Sequence, residues 1–151
     1  MKKRFLLLLT LLYSGIRSCV GLPAPDLPEA EPQIPEGYIQ KEEYFDPDGF
    51  QDYTDYCKYV YSDASAFIED ERWHRVTETE LEEVKGFFED FQKWMELEQR
   101  QEEYDFDPAC ISTEDYVRIH TGERARNPYD NYSVYFFDAD SCILYYIHQN
   151  I

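Results

Sequence analysis

Glycine and basic residues are both scarce in this chain. Its 151 residues include six glycines, and its 14 Lys and Arg stand against 32 Asp and Glu. With glycine so sparse there is no glycine-rich phosphate loop, and no G-x-S-x-G nucleophile turn occurs. The shortage of Lys and Arg excludes a nucleic-acid role, because phosphate binding depends on a local basic excess. The three histidines, His74, His120 and His148, form no H-E-x-x-H pair and have no metal-ligand spacing with the cysteines. Cys110 sits among acidic residues that raise a thiol pKa, so nothing marks it as an activated nucleophile. No apolar run reaches the roughly 20 residues that a bilayer span requires.

The first residues carry a pattern of their own. Lys2, Lys3 and Arg4 precede an apolar run at 5–13 that only Thr10 interrupts, and Ser14, Gly15 and Ser18 follow. A basic start, a short apolar stretch and small residues are the layout of an export signal. Cys19 comes next, after Ile16, Arg17 and Ser18. This segment resembles the lipobox of bacterial lipoproteins, in which an aliphatic residue and two small ones precede an acylated cysteine. Ile16 and Ser18 match that pattern and Arg17 departs from it. The resemblance implies lipidation of Cys19, a bacterial host, and membrane contact through that anchor alone. Ordinary cleavage after Ser18 or Gly21 is the alternative, giving a freely secreted protein.

The chain then divides into an export signal at 1–18, a proline-rich acidic spacer at 19–37 and one domain at 38–151. The spacer holds five prolines between 22 and 37 and no periodicity, as an extended, semi-rigid linker does. Losing the first 18 residues removes four basic residues and no acidic one, which leaves a net charge of −22. So acidic a chain would stay disordered if it were poor in aromatics, but this one has 14 Tyr, 10 Phe and 2 Trp. It is expected to fold.

Periodicity predicts two amphipathic helices. In the first, at 50–68, Tyr53, Tyr56, Cys57, Val60, Tyr61, Ala64, Phe67 and Ile68 share one face. The second opens at Thr77, where Thr77 and Glu80 form a capping-box pair. Leu81, Val84, Phe88, Phe91 and Met95 then make its core stripe, widened by Phe87 and Trp94. Beyond Pro108 the period shortens to that of strands, at 116–120, 131–137 and 142–148, with a tight turn at 138–141. A further short strand is expected at 38–45. The expected fold is therefore α+β, two amphipathic helices packed on a small antiparallel sheet that ends in a three-stranded meander.

Four features suggest chemistry. Asp46, Asp48, Gly49, Asp52 and Asp55 align with ligand positions of a calcium loop, although Tyr44 stands at its first position and Pro47 stiffens it. A capped helix start with acidic residues is the plainer explanation. Tyr116, Tyr129, Tyr132, Tyr135 and Tyr145 are the rings best suited to grip a sugar or peptide, if they are not simply core. Beyond the basic start, Arg118, Arg124 and Arg126 form a basic run that suits a carboxylate ligand, or answers the acidic surface as a solvated loop. Cys110 is the thiol expected to bridge, to Cys142 or to Cys57, unless all three are unbridged core residues. The leading functional expectation is an extracytoplasmic binding module, on the cell surface or secreted, with a protein, peptide or glycan ligand and no cofactor. A calcium-stabilised module, and a small hydrolase or thiol enzyme, are the alternatives.

Overall fold

Central strands covered on both faces lose the alternation that marks a strand in sequence, and this chain is built around such strands. A computed structural model describes residues 34–45, 53–122 and 127–150. In it, β1 (Gln40–Phe45), β2 (Tyr53–Val60), β3 (His74–Arg75), β4 (Tyr116–Thr121), β5 (Asn131–Asp138) and β6 (Ile143–Asn150) form one sheet. The strand order is β1-β2-β6-β5-β4-β3, and every neighbouring pair is antiparallel. The helices are a single turn, α1 (Ser65–Ile68), and the long α2 (Leu81–Leu97). No described helix is long and apolar enough to cross a membrane. The compact unit begins at Pro35, whose carbonyl accepts a hydrogen bond from the buried Tyr61 hydroxyl at 2.7 Å.

The fold is mixed α+β, but mostly sheet. The expected helix at 50–68 does not form. Its first half is β2, and only Ser65–Ile68 turns helically. The residues explain this: Tyr, Thr, Cys and Val pack well on a pleated surface and lose rotamer freedom in a helix. Because β2 lies between β1 and β6, Tyr56 on one face and Cys57 and Tyr59 on the other are all buried. The expected meander is present as β4, β5 and β6, and the expected strand at 38–45 is β1.

Helix α2 follows its sequence closely. Thr77 Oγ1 accepts the Glu80 amide at 3.3 Å, and the Glu80 carboxylate accepts the Thr77 amide at 3.2 Å, completing the capping box. At the other end Gln99 takes a left-handed φ of 58°, and the Arg100 amide reaches back to the Met95 carbonyl at 2.8 Å, a Schellman closure. Val84, Phe87, Phe88, Phe91 and Met95 are buried against Tyr56, Val117, Tyr132, Val134, Phe136 and Ile147. These sheet residues share one face, as the register Tyr56↔Ile147↔Val134 shows. That face is sealed by the helix, and it holds the main core.

Candidate functional site

With α2 on the first face, any site built on the sheet has to use the second. The candidate tyrosines divide between the two. Tyr132 is 1% exposed beneath α2, where its hydroxyl donates to Gln149 Oε1 at 2.8 Å. Tyr129 sets its ring against the edge of Phe87 at 5.1 Å, and Tyr145 packs on Phe106 at 4.4 Å. Tyr116 and Tyr135 belong to the second face, where both are buried. The five rings are thus not gathered into one patch.

Two cross-strand rows define the second face. The first runs Glu43, Cys57, Tyr146, Tyr135 and Arg118 across β1, β2, β6, β5 and β4. The second runs Asp55, His148, Ser133 and His120. Ser133 Oγ and His148 Nδ1 are 2.7 Å apart. Burial pushes the His148 imidazole down to a pKa of about 4, so it is neutral at neutral pH. The hydroxyl and the ring therefore make an ordinary neutral hydrogen bond across the hairpin.

Tyr135 is the centre of this face. Its ring lies 4.8 Å from Tyr146 and 6.1 Å from both His120 and Trp73, and Arg118 Cζ sits 5.7 Å over it. Trp73 directly precedes His74, which pairs with Val117, so the register places it level with Arg118 at the sheet edge. Phe67 of α1 stacks on Phe137 at 3.8 Å and meets Trp73 edge-on at 4.8 Å, which closes one end of the face. Trp73 is 5% exposed. Its Nε1 and the Arg118 Nη1 are both buried, and neither has an acceptor among the described residues.

Asp46, Asp48 and Asp52 of the expected calcium loop lie outside the described residues, as do Cys19, Arg124 and Arg126. Asp55 is held within β2, opposite His148. Among the described residues no group of three His, Cys, Asp or Glu is placed to hold a metal ion. Cys57, Cys110 and Cys142 are free thiols, so the expected Cys110–Cys142 bridge is not formed in this structure. Sequence reasoning missed Trp73, Ser133 and His148. The last two had a signal, because a hairpin turning at 138–141 sets residue 133 opposite residue 148. No family model matches the chain, and no curated protein or solved structure matches it.

Proposed function

We propose that this protein is an exported binding module that acts by contact, and that its ligand is a protein, peptide or glycan engaged by the second sheet face. What supports the reading is the composition of that face. Arg118, His120, Ser133, His148 and Asp55 stand in register around buried tyrosines, where packing alone favours apolar side chains. These side chains are only half-buried, so a polar and charged row flanked by aromatic rings is the kind of surface that grips a partner through both ring faces and hydrogen bonds. The charge of the chain directs those contacts away from nucleic acid, and any membrane association would come only through lipidation of Cys19. The test is a screen of the mature protein on peptide and glycan arrays. Binding should be lost in a Ser133→Ala/His120→Ala double variant with an unchanged near-UV spectrum. Array binding that survives this variant would sink the assignment to the second face.

A hydrolase reading has one observation in its favour, the Ser133–His148 contact. Two others oppose it. An imidazole titrating at about 4 is a poor base for a serine hydroxyl near neutral pH, since an effective general base titrates near the working pH. Among the described residues, two cavities beside α2, of ≈ 40 and ≈ 410 Å³, hold no histidine or cysteine.

A further inference from the structure

In a chain with more than two acids for every base, a guanidinium finds a carboxylate unless the fold keeps one away. Lys41, Lys58, Arg72, Arg75, Lys85 and Arg100 each have a carboxylate within 4.0 Å. Arg118 is half-buried and has none at that distance among the described residues. Asp70 accepts its hydrogen bonds from Arg72, whose Nε lies 2.8 Å from Oδ1 and whose Nη2 lies 2.5 Å from Oδ2, and is near enough for the Arg118 charge to help lower its carboxyl. One row position away from Arg118, Trp73 contributes a second buried donor with no acceptor. Two buried N–H donors without an acceptor, on residues level in the sheet register, are expensive, the charged one more so. Native proteins rarely leave such groups without a water, an ion or a ligand atom to accept from them.

We propose that Arg118 and Trp73 form an oxyanion recognition point, taking a carboxylate, phosphate or sulfate group of the ligand while the adjoining Tyr135 ring meets its apolar part. The inference deepens the binding-module reading and rests on it. A guanidinium presents a planar fork that suits a two-oxygen anion, and the indole N–H is a donor only, so the pair selects acceptors and rejects cations. Arg118 Cζ lies 5.7 Å from the Tyr135 centroid and the Trp73 ring centroid lies 6.1 Å from it, so an anion reaching either donor has a flat aromatic wall nearby.

The test uses the mature protein carrying Trp94→Phe, so that Trp73 is the only indole reporting. Sodium acetate, phosphate and sulfate are titrated at constant ionic strength, and tryptophan emission and melting temperature are followed. At least one anion should give a saturable emission change and a matching rise in melting temperature. Arg118→Met should abolish both, and Arg118→Lys, which keeps the charge but not the fork, should weaken binding about tenfold, as losing one charge-assisted hydrogen bond does. Trp73→Phe, read by melting temperature alone, should weaken binding by a similar factor. Acetate preferred over phosphate assigns the site to carboxylate ligands, and the reverse order assigns it to phosphorylated or sulfated ones. No response to any of the three anions, or a response unchanged in folded Arg118→Met, overturns the proposal. If array binding sensitive to Ser133 and His120 persists after such a result, only the oxyanion point falls; if it is absent too, the module reading falls with it.

Discussion

The hydroxyl of Tyr56 donates to Asp105 Oδ1 at 2.7 Å, and Lys58, two residues along the same face of β2, donates to Oδ2 at 2.7 Å. One carboxylate beyond the end of α2 thereby holds two side chains of a central strand 47 and 49 residues earlier in the chain. Burial works against the Asp105 charge, but the hydrogen bonds from Lys58 and Tyr56 prevail and keep its carboxyl below the ordinary range. Lys58 is also 3.0 Å from Glu42 on β1, so β1, β2 and the segment after α2 meet at this point.

Removing the Tyr56 hydroxyl should therefore loosen the return of the chain from α2. Tyr56→Phe keeps the ring between Tyr44 and Tyr104 and deletes only the donor. Asp105 is partly exposed, so water takes over one oxygen and the loss should be about 1 kcal/mol. Urea unfolding with an unchanged m-value is the measurement. A midpoint equal to wild type would show that the clamp contributes nothing.

Gly86 lies in the middle of α2, where glycine normally costs about 1 kcal/mol relative to alanine. An added Cβ would stand 2.7 Å from the Tyr129 hydroxyl, so the tyrosine tip occupies the space that glycine leaves. Gly86→Ala alone should be close to neutral, the gain in helix propensity being offset by displacing Tyr129 from Phe87. Combined with Tyr129→Phe, it should gain about 0.5–1 kcal/mol. Equal effects of Gly86→Ala in both backgrounds would show that the contact does not matter.

How far the fold could be read in advance follows from how many faces of each element are buried. Helix α2 is buried on one side and capped at Thr77 and Glu80, so both its period and its start were visible. The β5–β6 hairpin was visible because Asp138 organises its turn, accepting the amides of Asp140 at 2.9 Å and Ser141 at 3.2 Å. Strand β2 misled for the opposite reason. With Tyr56 and Tyr59 both buried, its aromatic spacing of three imitates a helix, and only residue type argued for strand. At the site, Arg118 stood out as a basic residue in an acidic chain. Trp73 did not, because β3 is two residues long and shows no period, and its meaning depends on the pairing of His74 with Val117.

The carboxyls divide into two groups with opposite effects on stability as pH falls. Asp70, Glu80 and Asp105 titrate below the ordinary range when folded, Asp70 at about 2 through its hydrogen bonds from Arg72. Their contribution is complete above a pH of about 4 and is lost as pH falls through the folded values. Asp115 is raised, chiefly by burial, despite donors from Ala139 and Ser112. A raised carboxyl works the other way, adding stability as pH falls from above its folded pKa toward about 4. Wild-type urea midpoints should therefore rise, relative to those of Asp115→Asn, as pH falls toward about 4. Parallel profiles for the two proteins would reject the raised value.

The Ser133–His148 pair provides a direct check on contact against turnover. His148, titrating at about 4, should show no ring-proton shift by NMR between pH 6 and 8. Ser133 should not react with a fluorophosphonate, and Ser133→Ala should cost no more than about 1 kcal/mol, as the loss of one neutral hydrogen bond does. Covalent labelling at Ser133, lost on His148→Ala, would replace the binding reading with an enzymatic one.

Cys110 tests the chemistry of the exposed thiol. Burial of its sulfur comes first, followed by the charges of Asp138, Asp115 and Asp107, and together they push the thiol up to about 11. The attacking species in alkylation and in disulfide exchange is the thiolate, whose population at pH 8 falls about a hundredfold for a two-unit rise. Iodoacetamide should therefore modify Cys110 slowly, with a pH–rate profile still climbing above pH 10, although the residue is exposed. Asp107→Asn combined with Asp138→Asn should shift that profile to lower pH. The same suppression slows any attack by Cys110 on an oxidised Cys142, so Cys57, Cys110 and Cys142 should all remain free, by peptide mapping, after brief exposure to oxidised glutathione. Rapid loss of the Cys110 and Cys142 thiols together would show that the bridge forms despite the acidic surroundings.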